Sequence, residues 1–191
     1  MTLSCQTMMD HAVNQPQRLF LIGPMGAGKT TIGKRLADAL ELSFIDSDAE
    51  IERRTGVRIP VIFDIEGEQG FRTREEAVID ELSRRDDIVL ATGGGAVLSA
   101  ETRARLSNRG TVIFLDLSVE QQLRRTRHDR NRPLLQTSHP RVRLQQLHDQ
   151  RQSLYHEIAD LRFLSDNGSP RRLVQRILEQ LGNKQGSQTN D

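Results

Sequence analysis

The sequence predicts an α/β fold: three layers, αβα, around a five-stranded parallel sheet. Two observations predict it. Short apolar runs alternate with longer amphipathic stretches along most of the 191 residues, and such alternation builds a parallel sheet with helices on both faces. A glycine-rich turn, Gly23-Pro24-Met25-Gly26-Ala27-Gly28-Lys29-Thr30, also falls between the first apolar run and the first helical stretch, as a strand, loop and helix unit requires. The length suits one domain able to bury a core.

The elements follow in order. Strands are predicted over 19–22, 43–46, 88–91, 112–115 and 161–164, each a short run suited to a pleated, buried position. Helices are predicted over 29–40, 49–54, 72–84, 100–108, 119–127, 141–159 and 170–181, where apolar residues recur at helical spacing. Residues 1–17 have neither the basic start nor the apolar centre of a secretory signal and read as a poorly ordered extension, while 182–191, rich in Gln, Asn, Ser and Gly, read as a flexible tail. The single cysteine, Cys5, lies in the extension and has no internal partner, which suits a reducing cytoplasm. The net charge of +1 gives no reason to expect nucleic acid, and no apolar run is long enough to span a bilayer. We find no internal repeat.

In sheets of this kind ligands bind beyond the carboxyl ends of the strands. The turn after the first strand reads G-x-x-x-x-G-K-[ST]. Its three glycines let successive N–H groups point inward, and the helix that follows adds the positive end of its dipole, so the loop is a nest for phosphates. Lys29 is placed for the β- and γ-phosphates and the Thr30 hydroxyl for the Mg²⁺ that bridges them. After the second strand comes Asp46-Ser47-Asp48. Either acid can serve a site, and Asp48 is equally well placed to cap the helix beginning near Ala49. Because the third strand ends without an acid, Asp46 is the available metal partner. After the third strand, Gly93-Gly94-Gly95 allow a ligand close to the backbone and favour a substrate wall.

Arginines complete the picture. Arg72 sits at the opening of a long helix, in a first turn where the dipole disfavours a cation. Five arginines fall between 124 and 132, ahead of Pro133, without aromatic residues to stack bases. A cationic flap beside a nucleotide suggests a lid that neutralises charge, with Arg132 reaching the transferred group and Arg125 nearer the base. Arg151 by itself reads as solvated. The histidines at 11, 128, 139, 148 and 156 form no ligand spacing or triad.

In order and spacing, the phosphate loop, Asp46-Ser47-Asp48, Gly67-Glu68-Gln69-Gly70-Phe71-Arg72, Gly93-Gly94-Gly95, Arg132-Pro133-Leu134-Leu135 and Arg151-Gln152-Ser153-Leu154-Tyr155 resemble shikimate kinase over about 18–181. The resemblance implies a phosphate-loop kinase fold with a lid over about 127–139 and a substrate-binding segment over about 47–75. It implies ATP and Mg²⁺ as cofactors and shikimate as the acceptor, phosphorylated on its 3-hydroxyl. Residue by residue, it implies Gly23, Met25, Gly26, Ala27, Gly28, Lys29, Thr30 and Thr31 for the nucleotide phosphates, with Arg125 and Pro170 as the adenine clamp. Thr30 and Asp46 hold the metal; Asp48 binds ring hydroxyls; Arg72 and Arg151 hold the substrate carboxylate; Gly93, Gly94 and Gly95 line its pocket. Lys29, Asp48 and Arg132 form the catalytic set. A cytoplasmic monomer acting on a small molecule, without nucleic acid or membrane, is expected.

Two rivals follow from the same residues. A gluconate or nucleoside monophosphate kinase would share the fold, but two arginines suit an acidic, non-phosphorylated acceptor. A GTP-binding switch would need [NT]-K-x-D, and Asn183-Lys184-Gln185-Gly186 lacks the aspartate.

Overall fold

Residues of opposite parity in the central strand carry the two halves of the core. In β1 (Arg18–Ile22), Phe20 and Ile22 point to one face, and Leu19 and Leu21 to the other, as the two-residue period of a strand dictates. The computed structural model describes residues 17–127, 133–165 and 168–187. Besides β1 the sheet contains β2 (Ser43–Asp46), β3 (Ile88–Ala91), β4 (Thr111–Asp116) and β5 (Leu161–Leu164), all parallel, in the order β2-β3-β1-β4-β5.

One face is covered by α1 (Lys29–Leu40) and α7 (Pro170–Ser187) through Ile32, Leu36, Val174 and Ile177. The other is covered by α2 (Ser47–Thr55), α3 (Ile59–Leu82), α4 (Ala100–Arg109) and α6 (Pro140–Ile158), through residues such as Ile51, Ile79, Leu106 and Tyr155. A third, smaller cluster joins Met25 of the phosphate loop to Leu144 and Leu147 of α6. Leu123 of α5 (Val119–Thr126) and Leu134 pack against it.

Three predicted boundaries are corrected. Helix α2 starts at Ser47 because Asp46, not Asp48, is its cap: Asp46 Oδ1 accepts from the amides of Asp48 at 3.0 Å and Ala49 at 3.4 Å. The stretch before residue 67, given no element from the sequence, is the first part of α3, which starts at Ile59 and breaks at Gly67 (φ 71°, ψ −179°). With the helix resuming after Gly67, Arg72 lies beyond its first turn, and the dipole argument does not apply to it. Helix α7 also runs on to Ser187, past the predicted end at 181.

Candidate functional site

The phosphate loop lies at the carboxyl end of the central strand, and its glycines do what their positions require. Gly23, Gly26 and Gly28 all have positive φ (141°, 77° and 86°). The loop ends on Gly28, the cap of α1, so the helix N-terminus faces into the turn. Lys29 folds back along the loop, donating through Nζ to the carbonyls of Gly23 at 2.7 Å and Pro24 at 3.0 Å. Phosphates beside such a lysine would compete with two carbonyls for its charge.

The strand order puts β3 between β1 and β2, and yet the Thr30 hydroxyl reaches Asp46, donating to its Oδ2 at 2.7 Å. A hydroxyl and a carboxylate meeting at the mouth of a phosphate nest suit Mg²⁺, which takes oxygen ligands and keeps waters and substrate phosphates in most positions. Among the described residues no cluster of three or more His, Cys, Asp or Glu side chains could hold a metal. The donor set therefore fits a cation shared with a nucleotide better than one held by a protein cage.

The glycine turn after β3 forms the floor of a cavity of about 90 Å³ bounded by Asp48, Arg72, Glu75, Arg151, Phe63 and Met25, among others. A side chain added at each glycine would meet different neighbours. A Cβ on Gly93 would strike Glu75 Oε1 and lie 2.8 Å from Asp48 Oδ1; one on Gly95 would strike the Arg72 guanidinium. One on Gly94 would come within 3.4 Å of Gly23 O and Met25 N, so this turn rests on the phosphate loop itself. The Gly93 amide donates to the buried Ser47 hydroxyl at 3.0 Å, tying the turn to α2.

Arg151 and Tyr155, one helical turn apart on α6, both donate to the Gly94 carbonyl, at 3.2 Å and 2.5 Å. Both are buried, and Tyr155 stacks on Phe114 with ring centres 5.0 Å apart. Burial pushes the Tyr155 phenol above its ordinary range, so it stays a donor. Burial also lowers Arg151, although a guanidinium remains charged at any working pH. Arg72 lies over Gly95 and donates to Glu75 Oε2 at 2.6 Å and Glu68 Oε1 at 3.0 Å. Glu75 is buried, and burial pushes its carboxyl up against the pull of Arg72. The Nε atoms of Arg72 and Arg151 are buried with no hydrogen-bond partner among the described residues. Two cations with unused buried donors beside one cavity can bind an anion.

A second cavity, of about 420 Å³, runs from Gly28 past Arg125 and Ser165 to Pro170, large enough for a nucleotide base and sugar. Arg125 donates to Gly26 O at 2.9 Å and to the hydroxyl and carbonyl of Ser165 at 3.1 Å and 3.0 Å. The Ser165 hydroxyl in turn donates to Ala27 O at 2.7 Å, so the end of β5 braces the phosphate loop. Arg132 lies outside the described residues.

The structure thus gathers Thr30 with Asp46; Asp48, Arg72 and Arg151 around Gly93 to Gly95; and Arg125 with Pro170. Sequence reasoning gave no role to Glu75, Tyr155, Ser47 or Ser165. For Glu75 a signal existed, since it occupies the helix stripe otherwise made of Phe71, Val78, Ile79 and Leu82, where an acid demands a buried partner. For Ser165, in a polar turn, there was none.

Comparison with known proteins gives a concordant result. A family model described as shikimate kinase matches residues 25–182. The shikimate kinase of Halorhodospira halophila is 58% identical over 166 residues, covering 87% of this chain and 94% of its own. That of Thioalkalivibrio sulfidiphilus is 57% identical over 165 residues, covering 86% and 87%. The solved structure of shikimate kinase from Acinetobacter baumannii in complex with shikimate superposes with a TM-score of 0.88 at 48% identity, covering 91% of this chain and 97% of that one.

Proposed function

Because the chain belongs to the shikimate kinase family, we propose that the residues gathered around the phosphate loop and the glycine turn carry that family's reaction. The protein is an ATP-dependent kinase that transfers the γ-phosphoryl group to the 3-hydroxyl of shikimate, giving shikimate 3-phosphate and ADP in the pathway to aromatic amino acids. Mg²⁺ accompanies the ATP in this family.

The single observation behind the assignment of roles is the convergence of Arg72 and Arg151 on the wall formed by Gly94 and Gly95. The phosphate loop lies directly behind that wall. Phosphoryl transfer depends on positioning and charge neutralisation more than on covalent chemistry. In our reading Arg72 and Arg151 grip the carboxylate of shikimate through paired N–H donors. Asp48, at the same cavity, accepts a hydrogen bond from the ring hydroxyl and orients its oxygen toward the loop. Lys29 exchanges the carbonyls of its own loop for phosphate oxygens. Thr30 and Asp46 would hold Mg²⁺, which would neutralise charge on the nucleotide phosphates. Arg125 and Pro170 flank the base, and the role of neutralising the transferred group is assigned to Arg132. The lid and the segment around 47–75 close to exclude water.

We also read the protein as a cytoplasmic monomer that engages neither nucleic acid nor membrane. No helix among the described residues is long and apolar enough to cross a membrane. A coupled assay tests the reaction: ADP release should depend on shikimate. Release unchanged by shikimate, or supported equally by gluconate, would refute it.

A further inference from the structure

Arg72 has more than one anionic partner before any substrate arrives. Its Nη1 is held by Glu75 and its Nη2 by Glu68, whereas its Nε has no partner among the described residues. A carboxylate bound in the two-pronged manner needs both donors along one edge of the guanidinium. Each terminal nitrogen carries two protons, so Nη1 and Nη2 each keep one donor beyond the bond to Glu75 or Glu68. Both edges that could take a carboxylate in two-pronged fashion include Nη2, so a substrate carboxylate on either edge shares that nitrogen with Glu68 and competes with it for the guanidinium charge.

The two glutamates are not equally free to yield it. The Glu75 side chain is 2% exposed and that of Glu68 42%. Removing the cation from a buried carboxylate is costly, whereas an exposed one is rehydrated. Glu68 also borders a cleft of about 650 Å³ that runs along Arg72, Thr73, Glu76 and Thr102, which gives its side chain room to withdraw. Glu68 follows Gly67 directly, where α3 is broken and nothing crowds the backbone.

We propose that Glu68 is a placeholder for the substrate carboxylate: it holds Nη2 of Arg72 until shikimate arrives, and the incoming carboxylate displaces it toward the cleft. Glu68 is thus a positioning residue that weakens ground-state binding of the acceptor while keeping Arg72 aimed at its pocket. The inference rests on the reading of Arg72 as part of the carboxylate grip.

Titration calorimetry of the full chain with shikimate tests it, using wild type, Glu68→Gln, Glu68→Ala, Arg72→Gln and the Glu68→Gln/Arg72→Gln double variant. Removing an exposed competing charge should lower the Kd for shikimate roughly two- to fivefold in both Glu68 variants. The gain should shrink at high salt and vanish when Arg72 is Gln. The Kd for ATP should stay unchanged. If both Glu68 variants bind shikimate as wild type does, or more weakly, while Arg72→Gln weakens binding, then Glu68 merely orients Arg72 and the placeholder role is wrong. If Arg72→Gln leaves shikimate binding intact, the carboxylate grip is wrong and the placeholder falls with it.

Discussion

Thr30 Oγ1 lies 2.7 Å from Asp46 Oδ2, although β3 separates the strands from which the two residues emerge. Asp46 also caps α2 with its other oxygen. Asn is as good a cap as Asp but carries no charge, so Asp46→Asn separates the two duties. We expect an unchanged helix content and a need for about 10- to 100-fold more Mg²⁺ for half-maximal activity. ADP release titrated with Mg²⁺ checks this; an unaltered Mg²⁺ dependence would move the metal elsewhere.

Arg151→Lys should damage acceptor binding selectively. Lysine keeps the buried charge near Gly94 but loses the fork that two-pronged binding requires. A loss of about 1.5–3 kcal/mol corresponds to a rise in the KM for shikimate of roughly one to two orders of magnitude. The KM for ATP should not move. Steady-state kinetics with each substrate varied in turn is the measurement.

Gly67→Ala should be harmful without a clash. Nothing lies within 4 Å of the added methyl, yet φ 71° with ψ −179° is a region that essentially only glycine occupies. The backbone cost is about 1–3 kcal/mol. Relieving it by straightening α3 would separate Phe63 from Phe71, whose rings sit 5.0 Å apart across the break and line the cavity over the glycine turn. A lowered melting temperature together with weaker shikimate binding is expected; an unchanged melting temperature would refute the strain argument.

Acid should weaken the fold through Glu50. Hydrogen bonds from Arg53 and Arg54 push its carboxyl from about 4.5 down to about 2. The folded value is the depressed one, so the stabilisation is complete above the ordinary value and is lost as pH falls from about 4.5 to about 2. Glu50→Gln should therefore cost about 1 kcal/mol at neutral pH, near 2–4 °C in melting temperature for a chain of this size. The gap from wild type should narrow across that acid window in thermal melts recorded as a function of pH.

Much of this was legible because local and global signals agree. Strands 43–46, 88–91 and 161–164 match their predicted limits, each being a short run closed by turn-forming or acidic residues. The first part of α3 was not legible. Ile59, Val61, Ile62, Phe63 and Ile65 are too densely apolar to show a helical period, and Val61 and Ile65 in fact face solvent. In the site, the acid missing after β3 drew attention to Asp46, and the structure brings Asp46 to the Thr30 hydroxyl. Asp48's candidacy as the helix cap failed because only backbone geometry decides which of two acids meets the first amides. The link between Arg72 and Glu75 spans only three positions, but burial of that pair depends on the glycine turn packing over it, which lies elsewhere in the chain.

The position of Gly94 has one more consequence. A Cβ at Gly94 would touch Gly23 O and Met25 N of the phosphate loop, and the Gly94 carbonyl accepts from Arg151 and Tyr155. Gly94 therefore joins α6 to the phosphate loop through its backbone atoms, so that a displacement of Arg151 or Tyr155 would be passed to the loop. Side chains at the rim of the cavity can change without disturbing that connection, because on the side of the turn it is made of main-chain atoms.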